Sequence, residues 1–260
     1  MAKQNLNTRN PGLALGGGAV LGAAHIGVLR AMEERELTPC AISGTSIGGF
    51  IGALYAFGTQ IEELEKIAEE LDWLDITNFK LSKLGLLANE KMGKKVLDVL
   101  GKRRIEESPI PLAMVATDLE SGEKVVLREG PLHRAVMASS CLPGIFVPVE
   151  WENKLLVDGF LCENVPVSPL SEMGAEEAIA VDLTSRVNFK KPDDLIDVLT
   201  NTFDIALNNM VRTDMAHKSV ILIQPQLSAY NKADTRKIRD LIDEGYREAC
   251  GILDQIEILS

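Results

Sequence analysis

The stretch GLALGGGAVLGAAHIGVLRAMEERELTPCAISGTSIGGFIGALYAFG, residues 12–58, decides the fold. Its apolar start, residues 12–16, predicts a short buried strand that leads into a glycine-rich turn and then a helix. Residues 40–43 predict a second strand, followed by a turn and a helix through Phe57, which Gly58 ends as a C-cap glycine would. Strands separated by helices predict a mostly parallel sheet with helices on both faces.

The same alternation continues to the C-terminus. Further strands are predicted at 111–118, 124–129, 146–151, 154–159, 176–184 and 219–225, the third and fourth forming a hairpin. Helices are predicted at 60–71, 131–139 and 193–217 and in the tail from Asp234, and residues 72–110 are expected to be helical but irregular. No change of composition marks an internal boundary. We therefore expect one α/β domain over residues 1–260, a three-layer α/β/α fold with a flexible N-terminus at 1–10.

The composition excludes several classes of protein. With 27 basic against 38 acidic residues, the formal net charge is −11, which argues against nucleic-acid binding and a polybasic lipid anchor. Four cysteines lie far apart without a CxxC pair and only three histidines are present, so neither a metal site nor a cofactor is expected. The polar N-terminus lacks the apolar core of a secretory signal, which favours a cytoplasmic protein with free thiols.

Residues 37–61 carry no charge and are long enough to span a bilayer. They hold five glycines, however, and divide at Ser43-Gly44 into a short strand and a helix. We therefore expect a soluble chain with at most peripheral membrane contact. The sequence leaves its oligomeric state open.

The glycine-rich turn GGGAVLG, residues 16–22, is the first candidate site. A dinucleotide-binding loop would lie at this place, but the spacing here is GxGxxxG rather than GxGxxG. Such a fold also needs an acidic residue at the end of its second strand, whereas this strand ends in ISGTS, residues 42–46. The turn instead offers backbone N–H groups at a helix N-terminus, which suit an anion or a developing oxyanion.

The second candidate is a GxSxG motif, residues 44–48, between a short apolar strand and a helix. This is the context of a nucleophile elbow, in which Gly44 and Gly48 permit a tight turn that exposes the serine hydroxyl. Ser46 is therefore the predicted nucleophile. Glycine-rich helix packing is the alternative explanation of the motif.

A histidine preceded by an acid is the usual base in a serine hydrolase. Of the three histidines, only His217, just before the last predicted strand, is suitably placed. His25 and His133 lie on early helical turns and are expected to be structural or solvated.

An aspartate is the competing choice of base. Asp158 ends the strand KLLVD and is followed by Gly159, and partial burial would raise its pKa toward the operating pH. Asp118 and Asp182 also end predicted strands, so the residue pattern alone leaves the choice open.

Taken together, four ordered blocks of this sequence resemble the patatin-like phospholipase family. The blocks are GLALGGGAVLGAAHIGVLRAMEE (12–34), GTSIGGFIGALYAFG (44–58), ATDLESGEKVVLREG with AVMASSCLPGIFVPVEW (116–130 and 135–151), and LLVDGFLCENVPV (155–167). The resemblance covers nearly the whole chain and implies a patatin-like fold.

The resemblance also implies a chemistry. It implies a catalytic dyad of Ser46 as nucleophile and Asp158 as base, without histidine, that hydrolyses lipid or small carboxylic esters through an acyl-enzyme. The implied oxyanion hole is formed by backbone N–H groups of Gly16, Gly17, Gly18 and Ala19.

Two positions depart from the family's pattern. The family usually has Arg or Lys just before the last glycine of its opening block, where this sequence has Leu21. Together with the acidic net charge, this departure shifts the expected substrate toward neutral or dispersed esters. Phe160 follows the Asp-Gly pair where many members have glycine or alanine, and we expect it to pack under the loop.

Two other functions remain as alternatives. A catalytically weak binding or regulatory protein would keep the fold, and a His-assisted serine esterase would use His217. A lid, or an apolar mouth to the site, is possible within residues 72–110.

Overall fold

The computed structural model describes residues 5–6, 8–71, 79–82, 85–87, 90–184, 191–192, 198–199, 201–203, 205, 220–230 and 235–258. The strands are β1 (Asn5–Leu6), β2 (Gly12–Leu15), β3 (Ala41–Thr45), β4 (Phe79–Ser82), β5 (Gly85–Leu87), β6 (Leu112–Asp118), β7 (Lys124–Leu127), β8 (Val149–Trp151), β9 (Lys154–Asp158), β10 (Ala178–Val181), β11 (Val220–Ile223) and β12 (Glu257–Ile258). The α-helices are α1 (Ala24–Glu33), α2 (Ile47–Ala56), α3 (Ile61–Glu70), α4 (Glu90–Leu100), α5 (Leu132–Ser139), α6 (Ser168–Glu172) and α7 (Ile238–Leu253).

The central sheet has the strand order β11-β10-β2-β3-β6-β9-β8, with β7 also paired to β6. The five strands from β11 to β6 run parallel. The pairs β6/β7, β6/β9 and β8/β9 are antiparallel, because short turns join β6 to β7 and β8 to β9. The prediction of a mostly parallel sheet flanked by helices is therefore confirmed, as is the hairpin of β8 and β9.

The two faces of the sheet carry side chains of different size. Leu13, Leu15 and Ile42 belong to the main core, which also contains buried residues of α1, α2, α3, α5 and α7. The opposite face carries Ala14 and Ala41, which pack with Leu170 of α6. Large and small residues alternate along β2 and β10 and at the start of β3, so the period of two sends them to opposite faces. Small side chains allow the second layer to lie close to the sheet.

Helices α1 and α7 cross at a pair of glycines. A Cβ added at Gly27 of α1 would overlap the carbonyl oxygen of Ile242 and lie 2.5 Å from the Tyr246 backbone nitrogen. A Cβ at Gly245 of α7 would overlap the carbonyl oxygen of Ala24. The backbones of the two helices are thus in direct contact, which only glycine permits at both positions.

Gly58 ends α2 as the sequence predicts. Its φ is +90°, its N–H donates to the Tyr55 carbonyl at 2.9 Å, and the Thr59 N–H donates to the Leu54 carbonyl at 3.1 Å. These bonds satisfy carbonyl groups that the end of a helix otherwise leaves unpaired.

Several predictions need correction or fall outside the described residues. Within the expected flexible segment 1–10, β1 pairs with β12 and Leu6 is buried. Within 72–110, expected to be helical, β4 and β5 form an antiparallel pair before α4, in line with the alternation of Phe79 and Leu81 with polar residues. The side chains of 72–89 lie outside the described residues, as do most of helix 193–217 and His217; residues 198–199, 201–203 and 205 of that helix are helical.

The uncharged stretch 37–61 divides into β3 and α2, as expected. No helix in the described part of the chain combines the length and apolar character needed to cross a bilayer.

Candidate active site

The ends of β3 and β9 meet on one edge of β6. Strand β7 takes the other edge, along residues 114–117 of β6. Strand β3 ends with Thr45 beside Val115, and β9, running the opposite way, ends with Asp158 beside Ala116. Because Ser46 directly follows Thr45, the sheet brings the predicted nucleophile and the predicted base together.

Ser46 occupies a strained turn. Its φ is 55° and its ψ is −124°, and a positive φ in a non-glycine residue persists only where the surrounding structure fixes it. A Cβ at Gly44 would lie 2.5 Å from the Gly49 backbone, and one at Gly48 would overlap the Leu15 carbonyl oxygen. The two glycines of the motif therefore allow the turn to fold back against its neighbours, as a nucleophile elbow requires.

A serine absent from the sequence prediction holds this turn. The Ser139 hydroxyl accepts the Ser46 N–H at 2.9 Å and donates to the Val115 carbonyl at 2.7 Å. Ser139 therefore links the backbone of Ser46 to that of β6 by hydrogen bonds. The sequence places Ser139 in a family block but gives no signal that separates it from Ser140.

Asp158 is fully buried, and its environment changes the pKa of its carboxyl. Burial raises the pKa of its carboxyl to about 7, although the Phe160 N–H, the Ser46 hydroxyl and the Gly159 N–H each act to lower it. Oδ1 accepts from the Phe160 N–H at 3.0 Å, while Oδ2 has no partner of normal hydrogen-bond geometry among the described residues. A Cβ at Gly159 would overlap the Val115 carbonyl oxygen, so the Asp-Gly pair lies directly on β6.

The other strand-end acids are engaged elsewhere. Asp118 accepts the Ser121 hydroxyl at 2.9 Å, and chiefly this bond lowers the pKa of its carboxyl. Asp182 accepts from the Thr184 N–H and hydroxyl at 2.8 and 2.9 Å and from the Gln224 amide at 3.0 Å. Both carboxylates therefore accept hydrogen bonds from neighbouring side chains, whereas Asp158 Oδ2 has no partner of normal geometry among the described residues.

Two of the four backbone N–H groups expected in the oxyanion hole donate to other backbone carbonyls. The Gly16 N–H donates to the Val181 carbonyl at 3.0 Å, and the Gly17 N–H donates to the Asn164 carbonyl at 3.2 Å. Among the described residues, the N–H groups of Gly18 and Ala19 have no such acceptor. These two N–H groups start the 3₁₀ helix Ala19–Ala23, where unpaired donors favour an anion.

The His25 side chain is hydrogen-bonded to the backbone of the glycine loop. It is fully buried, and its Nε2 lies 2.8 Å from the Gly16 carbonyl oxygen. Because a carbonyl only accepts, Nε2 carries the proton. Burial lowers the pKa of His25 to about 4, against the raising effects of the Gly16 carbonyl and Asp182. His25 is thus a neutral structural histidine, as expected.

The two positions that depart from the family's pattern are both buried. Leu21 is fully enclosed in the main core, so its side chain packs instead of facing substrate. Phe160 is also buried, with its ring centroid 5.1 Å from that of Phe203.

Comparison with known proteins agrees with this geometry. Residues 13–171 match the model of the family described as patatin-like phospholipase. An uncharacterised NTE family protein of Mycobacterium tuberculosis is 36% identical over 207 residues, which are 78% of this chain and 56% of that protein. The chain therefore spans about half the length of this relative. A lysophospholipase, NTE1, of Cryptococcus neoformans is 32% identical over 67% of this chain and 11% of its own length.

The fold is also similar to that of a solved protein. The crystal structure of VipD from Legionella pneumophila superimposes with a TM-score of 0.63 over 95% of this chain and 67% of that one, at 14% sequence identity. This similarity concerns the fold alone.

Proposed function

The chain belongs to the patatin-like phospholipase family, and from that premise we propose that it is a serine hydrolase of lipid carboxylic esters. Ser46 is the nucleophile and Asp158 the base. One observation carries the proposal: a serine in a strained turn at the end of β3 lies beside a buried carboxyl whose pKa is raised to about 7.

The reaction proceeds in two steps. Asp158 takes the proton of the Ser46 hydroxyl as Oγ attacks the ester carbonyl carbon, and the resulting tetrahedral intermediate expels the alcohol, which takes that proton from Asp158. A water molecule then attacks the acyl-enzyme and gives its proton to Asp158. The second intermediate releases the acid as Ser46 recovers the proton, so the sum is ester plus water to acid plus alcohol.

The oxyanion of each intermediate lies at the start of the 3₁₀ helix. This assignment is supported by the N–H groups of Gly18 and Ala19, which have no acceptor among the described residues, whereas those of Gly16 and Gly17 hold the loop in place. Preorganised donors of this kind stabilise charge that develops only in the transition state.

The substrate is a lipid ester or a small carboxylic ester. The protein contacts a membrane at most peripherally. The net charge of −11 disfavours anionic membranes, because like charges repel. The four cysteines are free, which fits a reducing compartment such as the cytoplasm.

The proposal is tested by the hydrolysis of short-chain p-nitrophenyl esters. We expect Ser46→Ala and Asp158→Asn each to lower kcat by about 1,000-fold or more, since a nucleophile and its base act as one unit. In the wild type, kcat/KM should rise with pH through about 7, where Asp158 loses its proton. Activity that survives Ser46→Ala contradicts the proposal.

The alternatives give different outcomes. A His-assisted esterase would lose turnover in His217→Ala and keep it in Asp158→Asn. A catalytically weak binding protein would form no adduct at Ser46 with a fluorophosphonate probe.

A further inference from the structure

We propose that the side-chain amide of Asn164 is a third donor to the oxyanion, beside the backbone N–H groups of Gly18 and Ala19. The inference rests on the proposed function and adds a catalytic residue to it. It comes from an unpaired buried amide beside the nucleophile.

The backbone of residues 163–166 is hydrogen-bonded to strand β3 and to the glycine loop. The Thr45 hydroxyl donates to the Glu163 carbonyl at 2.8 Å, and the Ser43 hydroxyl donates to the Pro166 carbonyl. The Gly17 N–H donates to the Asn164 carbonyl at 3.2 Å. Asn164 is therefore held between the nucleophile's strand and the glycine loop.

An ion pair at the neighbouring Glu163, whose side chain is 10% exposed and that of Lys124 34%, also holds this segment. The Glu163 carboxylate accepts from Lys124 Nζ at 2.8 Å, from the Ser168 N–H at 2.8 Å and from the Ser168 hydroxyl at 2.7 Å. All these bonds use the neighbours of Asn164 or its own backbone, so none of them accounts for its side chain.

The Asn164 residue is only 6% exposed, yet neither Oδ1 nor Nδ2 has a hydrogen-bond partner among the described residues. Leaving a buried amide unpaired costs about 1–3 kcal/mol, so a residue kept in this state needs a reason other than stability.

The amide lies beside the nucleophile. A Cβ added at Gly17 would lie 2.8 Å from Asn164 Oδ1 and 3.3 Å from Ser46 Cβ. The amide end and the serine thus flank the same point, the position that a Cβ of residue 17 would occupy. The oxygen and nitrogen of an amide are assigned from their partners, and here a half-turn about the last torsion places the NH₂ group there.

The chemistry matches this position. When Ser46 Oγ attacks, the ester carbonyl oxygen becomes an oxyanion close to the glycine loop, and a neutral NH₂ group donates a hydrogen bond to it without losing a proton. The amide then gains in the transition state the partner that it lacks in the free protein, which is the condition for raising kcat. Removing one such donor from an oxyanion hole typically lowers kcat about 100- to 1,000-fold.

The test is Asn164→Leu, which keeps the size of the side chain and removes its polar atoms. On a p-nitrophenyl ester we expect kcat to fall about 100-fold with KM nearly unchanged. The Ki of a trifluoromethyl ketone, which forms a tetrahedral adduct on serine, should rise by about the factor by which kcat/KM falls. The Tm should stay the same or rise, because an unpaired buried amide is lost.

Ser108→Ala is the matched control. The Ser108 hydroxyl is also buried without a partner among the described residues, but it precedes β6 at the end away from the site. Its removal should leave kcat and Ki unchanged. If Asn164→Leu does not fold, Asn164→Ala, which adds no atoms, carries the same expectations for kcat and Ki.

Two results overturn the inference while leaving the proposed function intact. The first is an active wild type whose kcat is unchanged by either Asn164 substitution. The second is a loss of kcat with an unchanged Ki and a lowered Tm, which is the signature of a structural residue. A wild type that neither turns over ester nor labels at Ser46 overturns the proposed function and this inference together.

Discussion

Glycines bring backbone against backbone at the turn of the candidate site (residues 44–48) and at the crossing of α1 and α7. At the turn, a Cβ on Gly48 would overlap the Leu15 carbonyl oxygen, and at the crossing a Cβ on Gly27 would overlap that of Ile242. The two contacts are sterically alike, but the groups around them differ.

The turn of the candidate site combines several unfavourable features. It contains Ser46 at a positive φ, and beside it lie the buried carboxyl of Asp158 and the amide of Asn164, which has no hydrogen-bond partner among the described residues. At the crossing, the Tyr246 hydroxyl lies 2.7 Å from the Glu34 carboxylate, and the Arg30 guanidinium lies over the Tyr246 ring. A close contact alone therefore indicates packing, whereas a close contact together with unpaired buried groups indicates a site.

Large effects are expected from filling either contact. Gly27→Ala and Gly48→Ala should each lower the free energy of unfolding by about 3 kcal/mol, because the added methyl meets backbone that cannot rotate away. The measurement is urea unfolding, with kcat counted per molecule labelled by a fluorophosphonate. Gly27→Ala should keep its kcat per labelled molecule, whereas Gly48→Ala should lose it.

Gly251→Ala is the control for both, since a Cβ at this position in α7 meets nothing within 4 Å. It should stabilise the protein slightly, as alanine does in a helix. Equal kcat values in Gly27→Ala and Gly48→Ala would contradict the distinction between the two contacts.

A second prediction tests whether the buried carboxyl of Asp158 lowers the free energy of unfolding near neutral pH. The folded-state pKa of Asp158, about 7, lies above its ordinary value of 3.8. Its contribution to stability is therefore fully present below pH 3.8 and is lost as pH rises through 7, by roughly 1.4 kcal/mol per pH unit within this window. Asp158→Asn, which cannot ionise, should accordingly gain Tm over the wild type as pH rises from 4 to 8.

Asp118→Asn provides the comparison of opposite sign. The pKa of Asp118 is lowered in the folded protein, so its contribution is present above the ordinary pKa and is lost as pH falls. This substitution should lower Tm at pH 8. A pH-independent difference between wild type and Asp158→Asn would show that the carboxyl is not desolvated.

The smallest effect is expected at a glycine that is required for its backbone conformation and not for a close contact. Gly58 has a φ of +90° and nothing within 4 Å of an added Cβ. Gly58→Ala should cost about 1 kcal/mol through the strained backbone alone, with kcat unchanged. A loss as large as that of Gly27→Ala, measured by the same urea unfolding, would contradict the separation of steric from conformational roles.

Much of the fold was predictable because it depends on local pattern. The strand, turn and helix signals of residues 12–58 place β2, β3 and α2 within one or two residues of their bounds, since buried strands and glycine-capped helices have local sequence signatures. The β4/β5 pair was missed because short apolar runs are ambiguous between helix and strand. The pairing of β1 with β12 was missed because it joins the two ends of the chain.

The sequence by itself determined which residue types are available: a serine in a glycine-flanked turn, a run of glycines before a helix, and several aspartates at strand ends. Only the tertiary structure decided among them. It placed Asp158 and not Asp118 or Asp182 beside Ser46, because β3 and β9 end against neighbouring residues of β6. It also paired the N–H groups of Gly16 and Gly17 with backbone carbonyls and, within the described part of the chain, left the Asn164 amide without a hydrogen-bond partner. The physical reason is that burial and hydrogen-bond partners depend on contacts between residues far apart in the chain, which no local pattern records.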